Sequence, residues 1–204
     1  MAERAHDELR AAFLDGRFYP HQHLIEMELV EELGVNRAAV REALARLEQE
    51  GLVERRANRG VVVRSMSPQE TLDVLDMRIA LETLAVAWAC ERQTEDQHRR
   101  LELLLDDLVS QSDVGDVAGF AARQGEIHHL LLDMAHAPRL ASMIKTLSAQ
   151  TAQTRRQSLG TPGRLPHSLD EHRRIVQAVL SADPITAASE MEVHLKNVKS
   201  SALR

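Results

Sequence analysis

The sequence has few aromatic side chains, a single cysteine, no long apolar run and no excess of positive charge. With 2% aromatic residues it lacks the flat side chains on which unpaired bases stack, which argues against a single-strand binder. Cys90 has no second thiol to pair with and reads as a core filler. No stretch approaches the ~20 apolar residues of a membrane span. The first residues, Met1-Ala-Glu-Arg-Ala-His-Asp-Glu, carry acids where an export signal has a basic and then an apolar segment. A cytoplasmic, soluble protein with no membrane partner is therefore expected, long enough at 204 residues for one domain or two small ones. The net charge of −6 weighs, as a sum, against nucleic acid. Its distribution does not. Residues 1–35 hold three Arg against eight acids, residues 36–64 seven Arg against four, and the remainder fifteen bases against nineteen acids. A basic island lies between two acidic regions, and a phosphate backbone meets the local field.

Apolar spacing predicts helices over residues 3–16, 26–33 and from Asn36 to Gly51, with Gly16, Gly34 and Gly51 as stops and Asn36 as a cap. Only Gly34-Val35-Asn36 separates the second helix from the third, the length of a helix-turn-helix corner. Leu52–Arg55 and Val61–Arg64 then alternate as strands around the turn Arg56-Ala57-Asn58-Arg59-Gly60. Three helices and a two-stranded wing make a winged helix-turn-helix domain over residues 1–65. Residues 66–70 form a linker and helix start, with Ser67-Pro68-Gln69-Glu70 as a capping box. Residues 71–204 show no strand signal. Further caps at Thr94, Ser168 and Asp183 divide them into segments near 68–91, 95–111, 116–135, 138–159, 169–181 and 184–201, an antiparallel α-helical bundle. The fold class is mainly α.

Arg37 and Arg41, one turn apart at the start of the third helix, project from one side, where a recognition helix meets the major groove. Their forks suit guanine or phosphate, and spacing alone leaves that open. Arg55, Arg56, Asn58 and Arg59 beside Gly60 give the wing the composition of a phosphate clamp. Any one of these arginines could be ordinary surface, but the island as a whole coincides with the helix-turn-helix and wing. Phe18-Tyr19-Pro20, Leu24-Ile25-Glu26, Glu32-Leu33-Gly34-Val35, Val40-Arg41-Glu42-Ala43-Leu44 and Gly51-Leu52-Val53-Glu54-Arg55 closely resemble the DNA-binding domain of GntR-family transcription regulators. The resemblance implies that Arg37 and Arg41 contact operator DNA, that Arg46 lies near the backbone and that Asn58-Arg59-Gly60 reach the minor groove. Asn36 joins this DNA-facing set at a position where the family has Ser or Thr. Ala38-Ala39 replaces a frequent Thr-Pro, which removes a hydroxyl contact to phosphate.

Seven of the ten histidines lie beyond residue 90. Helical spacing aligns His128 with Leu131, Leu132 and Ala135, His172 with Ile175, Val176 and Val179, and His194 with Met191, Leu195 and Val198. Three helices each turning a histidine inward can build a metal site or hold three packed core histidines, and periodicity leaves both readings open. Met77-Arg78-Ile79-Ala80-Leu81-Glu82, Ile127-His128-His129, Glu171-His172-Arg173 and Met191-Glu192-Val193-His194 resemble the FadR-type C-terminal domain, FCD, of one GntR subgroup. That resemblance implies metal ligands at His128, His172 and His194 for a divalent ion, zinc first, with nickel or manganese as alternatives. It also places an aspartate four residues before the first histidine, where this chain has Gln124, a weaker neutral ligand. Asp133 does not replace it, because five residues from His128 it points about 140° away. The same resemblance assigns Arg78 to a carboxylate effector, while its spacing also allows a surface ion pair with Glu82. His129 and His136 fall off the inward face.

The expected function is a transcriptional repressor that binds double-stranded operator DNA at an inverted repeat as a homodimer and answers to a small organic acid. A metal-free effector pocket is the nearest alternative. A metal-dependent hydrolase is a further one, weakened by the absence of His-Glu-x-x-His, a glycine-rich phosphate loop or paired carboxylates beside the histidines.

Overall fold

The computed structural model describes residues 1–57, 60–152, 154, 159 and 163–201. Its contacts divide the chain into two compact units, residues 1–69 with 148–153, and residues 70–147 with 154–204. Among the described residues, no helix is long and apolar enough to cross a membrane.

The first unit runs α1 (Ala2–Asp15), β1 (His23–Leu24), α2 (Glu26–Leu33), α3 (Arg37–Gln49), β2 (Val53–Arg56) and β3 (Gly60–Val63). The apolar stripe that predicted each helix is the stripe it buries: Leu9 and Phe13 of α1, Leu29 and Leu33 of α2, and Val40, Ala43, Leu44 and Leu47 of α3 form one core with Val61 and Val63. Arg4 of α1 donates to the Leu33 carbonyl at 2.7 Å, satisfying the end of α2. His6 holds α1 to the end of α3 through Glu50 at 2.7 Å. The corner between α2 and α3 depends on Gly34, whose φ of +60° lies in the left-handed region that other residues enter only with strain. Asn36 then caps α3, its Oδ1 accepting from the Ala39 amide at 2.9 Å. The sheet has three strands in the order β1-β3-β2, all antiparallel. The sequence showed the two-stranded wing but not β1, whose two residues are too few to display a period.

The second unit is helical: α4 (Pro68–Arg92), α5 (Glu95–Asp113), α6 (Val117–Met134), α7 (Pro138–Gln150), α8 (Arg164–Leu180) and α9 (Pro184–Ser201). The Thr94 capping box forms as expected. Asp183 caps α9 by accepting from the Thr186 amide at 3.0 Å. Ser168 behaves differently. The helix expected to start there begins at Arg164, so Ser168 sits inside α8, fully buried. Ends of other helices are tied down by side chains of α4 and the residue after it. Arg92 donates to the Ala135 carbonyl at 2.9 Å, and Gln93 to the Val179 carbonyl at 2.8 Å. Ile127, Leu131, Ile175, Val176, Val179, Met191 and Leu195 pack α6, α8 and α9 into one core. That core fixes the three helix faces on which His128, His172 and His194 stand.

Candidate functional site

In the first unit, Arg37 and Arg41 emerge side by side from α3, their side chains 66% and 62% exposed. Glu26 at the start of α2 holds both: its Oε2 accepts from Arg37 Nε at 3.0 Å and its Oε1 lies 3.7 Å from Arg41 Nε. Such exposed pairs contribute about 0–1 kcal/mol each and open readily to another anion. Arg46 is exposed further along the same helix. Asn36 spends its carbonyl oxygen on the cap and keeps only its amide NH₂ for a partner. Gly60 opens β3 with φ +69° and no atom within 4 Å of where a Cβ would stand. Asn58 and Arg59 lie outside the described residues.

In the second unit the three inward histidines meet. His128 Nε2 and His172 Nε2 are 3.2 Å apart, and one ligand nitrogen from each of His128, His172 and His194 lies within 4.8 Å of the others. Each ring is held from behind at Nδ1: His128 by Glu82 Oε2 at 3.2 Å, His172 by the Ser168 carbonyl at 2.6 Å and His194 by Glu171 Oε2 at 2.7 Å. A carbonyl and two ionised carboxylates can only accept, so each Nδ1 donates, and in a neutral imidazole Nε2 then carries the lone pair. The two Nε2 atoms that face each other at 3.2 Å need a proton or a metal ion between them. The donor set fits such an ion. A tetrahedral site with zinc–nitrogen bonds of about 2.0–2.1 Å places its nitrogens about 3.3 Å apart. Gln124 is buried one turn before His128, and among the described residues its Oε1 has no hydrogen-bond partner, an orphan that a metal bond would satisfy. Asp133, His129 and His136 are exposed.

Each orienting carboxylate has its own arginine. Arg78 Nε donates to Glu82 Oε1 at 2.7 Å, and Arg164 Nη2 to Glu171 Oε2 at 2.7 Å, with Asn197 Nδ2 on the other Glu171 oxygen at 2.8 Å. Two Arg–Glu–His relays therefore converge on the cluster. Arg78 and Glu82, allowed by spacing as a surface pair, are both buried. Burial alone would raise the Glu82 carboxyl, but Arg78 and the His128 bond outweigh it and hold it well below the usual carboxylate range. Glu171 is likewise opposed by burial and still brought down to about 2 by its bonds to His194 and Arg164. The histidines move the other way. Burial lowers His172 well below its ordinary value, the neighbouring imidazoles adding to it. It also brings His194 down to about 4, partly offset by the Glu171 bond. Cys90, buried in the bundle, has its thiol pushed up to about 11 by desolvation, and at neutral pH it is no nucleophile.

These shifts give the metal-free protein a defined pH dependence. Both imidazoles are neutral when folded, while in the unfolded chain they protonate near 6.5. Depressed values mean that this stability is complete above about pH 6.5 and is lost as the pH falls toward the folded values. At pH 5, His194 alone accounts for about 2 kcal/mol. Urea unfolding of chelator-treated protein at pH 7 and pH 5, followed by circular dichroism, measures the loss; equal midpoints would mean that the imidazoles are solvated.

Sequence reasoning placed all three histidines, Gln124 and Arg78 but assigned no site role to Glu171, Arg164 or Ser168. Glu171 enters the sequence reading beside His172 in the FCD-like stretch, with no role of its own, and Arg164 belongs to no motif.

Comparison with known proteins adds two families. Residues 1–63 match bacterial regulatory proteins of the gntR family, and residues 73–197 match the FCD domain. An uncharacterized HTH-type transcriptional regulator of Mycobacterium tuberculosis is 31% identical over 222 residues, covering 99% of this chain and 88% of the relative. The galactonate operon transcriptional repressor of Escherichia coli is 25% identical, with 82% of each chain covered. Among solved structures, E. coli McbR/YncC has the same fold, with a TM-score of 0.87 at 21% identity over 96% of this chain and 93% of that one.

Proposed function

We propose, from the premise that this chain belongs to the gntR family of bacterial regulatory proteins with an FCD domain and is a DNA-binding transcriptional regulator, not an enzyme, that it is a metal-dependent sensor of a small carboxylate. His128, His172 and His194 hold a divalent ion, zinc by preference, with Gln124 Oε1 as a neutral fourth donor. The observation that carries this is the approach of three imidazoles, each held at Nδ1 by an acceptor on Glu82, Ser168 or Glu171, with one ligand nitrogen of each within 4.8 Å of the others. When bound, the ion supplies a positive anchor for a carboxylate. Arg78, buried behind Glu82, adds the positive charge that keeps an organic anion inside the bundle.

Arg37 and Arg41 read the operator from the major groove, with Asn36 beside them, Arg46 near the backbone and Asn58, Arg59 and Gly60 reaching the minor groove. An inverted repeat requires two such heads, so the acting species is a homodimer. The groove of about 500 Å³ lined by Met77, Leu81, Met143 and Leu147, where Met77 and Met143 are half exposed, supports a second copy on the helical unit. Effector occupancy shifts the population between dimers competent and incompetent for DNA. A repressor is the reading favoured by the relative named for that role.

Metal analysis of protein purified without a metal-affinity tag tests the site: one equivalent per chain is expected. Gln124→Asp exchanges the neutral oxygen for a carboxylate and should tighten metal retention by about tenfold or more, read as slower loss of zinc to a chelator. No change in that rate would remove residue 124 from the ligand set.

A further inference from the structure

Both arginines behind the histidines are buried, but they are not equally committed. Every buried nitrogen of Arg78 has a partner. The Arg164 side chain is only 10% exposed, and Glu171 uses one of its donors, Nη2. Its Nε and Nη1 are buried with no hydrogen-bond partner among the described residues. A guanidinium has five N–H donors in one plane, so Arg164 still presents a donor on either side of its bond to Glu171. Each buried donor left unmatched costs about 1–3 kcal/mol, and native interiors rarely keep two on one residue.

Arg164 also stands next to the histidines. Its Nη2 and His194 Nδ1 share a single oxygen, Glu171 Oε2, each at 2.7 Å. Two further orphans belong to the same neighbourhood. Ser168 Oγ, on the residue whose carbonyl holds His172, is buried and has no hydrogen-bond partner among the described residues, as is the case for Gln124 Oε1. Among the described residues, four buried atoms without a hydrogen-bond partner thus belong to Arg164, Ser168 and Gln124 beside the cluster, while others lie away from it on Glu50 and Gln93; convergent polar groups of this kind are what orient a small ligand.

We propose that Arg164 anchors the anionic effector: its free guanidinium donors receive a carboxylate of a small organic acid, and Ser168 Oγ supplies an additional hydrogen bond to the same molecule. This rests on the reading of the bundle as an effector site and moves the anion-binding fork from Arg78 to Arg164. Glu171 keeps the Arg164 plane fixed, so little side-chain freedom is lost when the acid docks.

The test is isothermal titration of acetate, malonate and succinate into the full-length protein in zinc-containing buffer, comparing wild type with Arg164→Lys, Arg164→Gln and the metal-ligand variant His172→Ala. Lysine keeps the charge beside Glu171 and removes the planar fork. Wild type should bind at least one of the acids. Arg164→Lys should retain zinc, melting temperature and helical circular dichroism and bind that acid at least tenfold more weakly, with Arg164→Gln weaker still. Unchanged affinity in Arg164→Lys, with binding lost in His172→Ala, would overturn the role of Arg164 and leave the effector site standing. Loss of zinc or of folding in Arg164→Lys would make the arginine a structural partner of Glu171 and also overturn the proposal. Failure of wild type to bind any of the acids would remove the effector reading and this inference together.

Discussion

Replacing Arg41 with alanine is expected to reduce operator affinity by at least ~30-fold, toward the level of non-specific binding, while fold and oligomeric state persist. A bidentate arginine–guanine contact discriminates by about 1–3 kcal/mol, and a symmetric dimer makes it twice. The fold should not respond. Arg41 is mostly exposed, and its approach to Glu26 is a loose 3.7 Å, worth at most about 1 kcal/mol. Fluorescence anisotropy on a genomic fragment enriched by the wild-type protein, at fixed salt, measures the change. Affinity within twofold of wild type would remove α3 as the reading helix.

The second large effect is expected in the bundle. His172→Ala removes a central nitrogen donor and leaves His128 Nε2 without the neighbour that faces it at 3.2 Å. Loss of groups that merely orient a ligand weakens metal sites about 10–100-fold, so loss of a ligand should exceed that. The wild type should purify with one equivalent of metal and gain thermal stability with added zinc, because an ion that binds the folded state shifts the unfolding equilibrium. His172→Ala should do neither. Metal well below one equivalent in both proteins would favour a regulator whose histidines contact the effector directly.

What the sequence disclosed and what it concealed follow from distance along the chain. The helix-turn-helix is local: Gly34, Asn36 and the Leu29 to Leu47 stripe lie within two helices, and each obeys a rule acting over a few residues. The inward histidines were equally legible, because period 3.6 assigns a face to each residue. The groups that give those histidines their chemistry were not. Glu82 lies 46 residues from His128, and Glu171 lies 23 from His194. No periodic rule says which helix will sit opposite another. Ser168 misled for a different reason: Ser-x-x-Glu is a cap only at a helix start, and α8 begins four residues earlier at Arg164. The serine carbonyl instead fixes the tautomer of His172, and the glutamate holds His194 and Arg164 together.

Glu26 carries one more consequence, for how the protein responds to salt. It lies against Arg37 and Arg41 before any DNA arrives, much as a phosphate would afterwards. With α3 as the proposed reading helix, docking would exchange one anion for another instead of neutralising two bare cations. Counterions released from the DNA are partly taken up by the displaced carboxylate. The slope of log affinity against log salt should therefore fall short of the value of about 0.9 per arginine–phosphate contact. Glu26→Gln should steepen it and strengthen binding to unrelated sequences, so that the wild-type glutamate acts as a filter against DNA that offers charge alone.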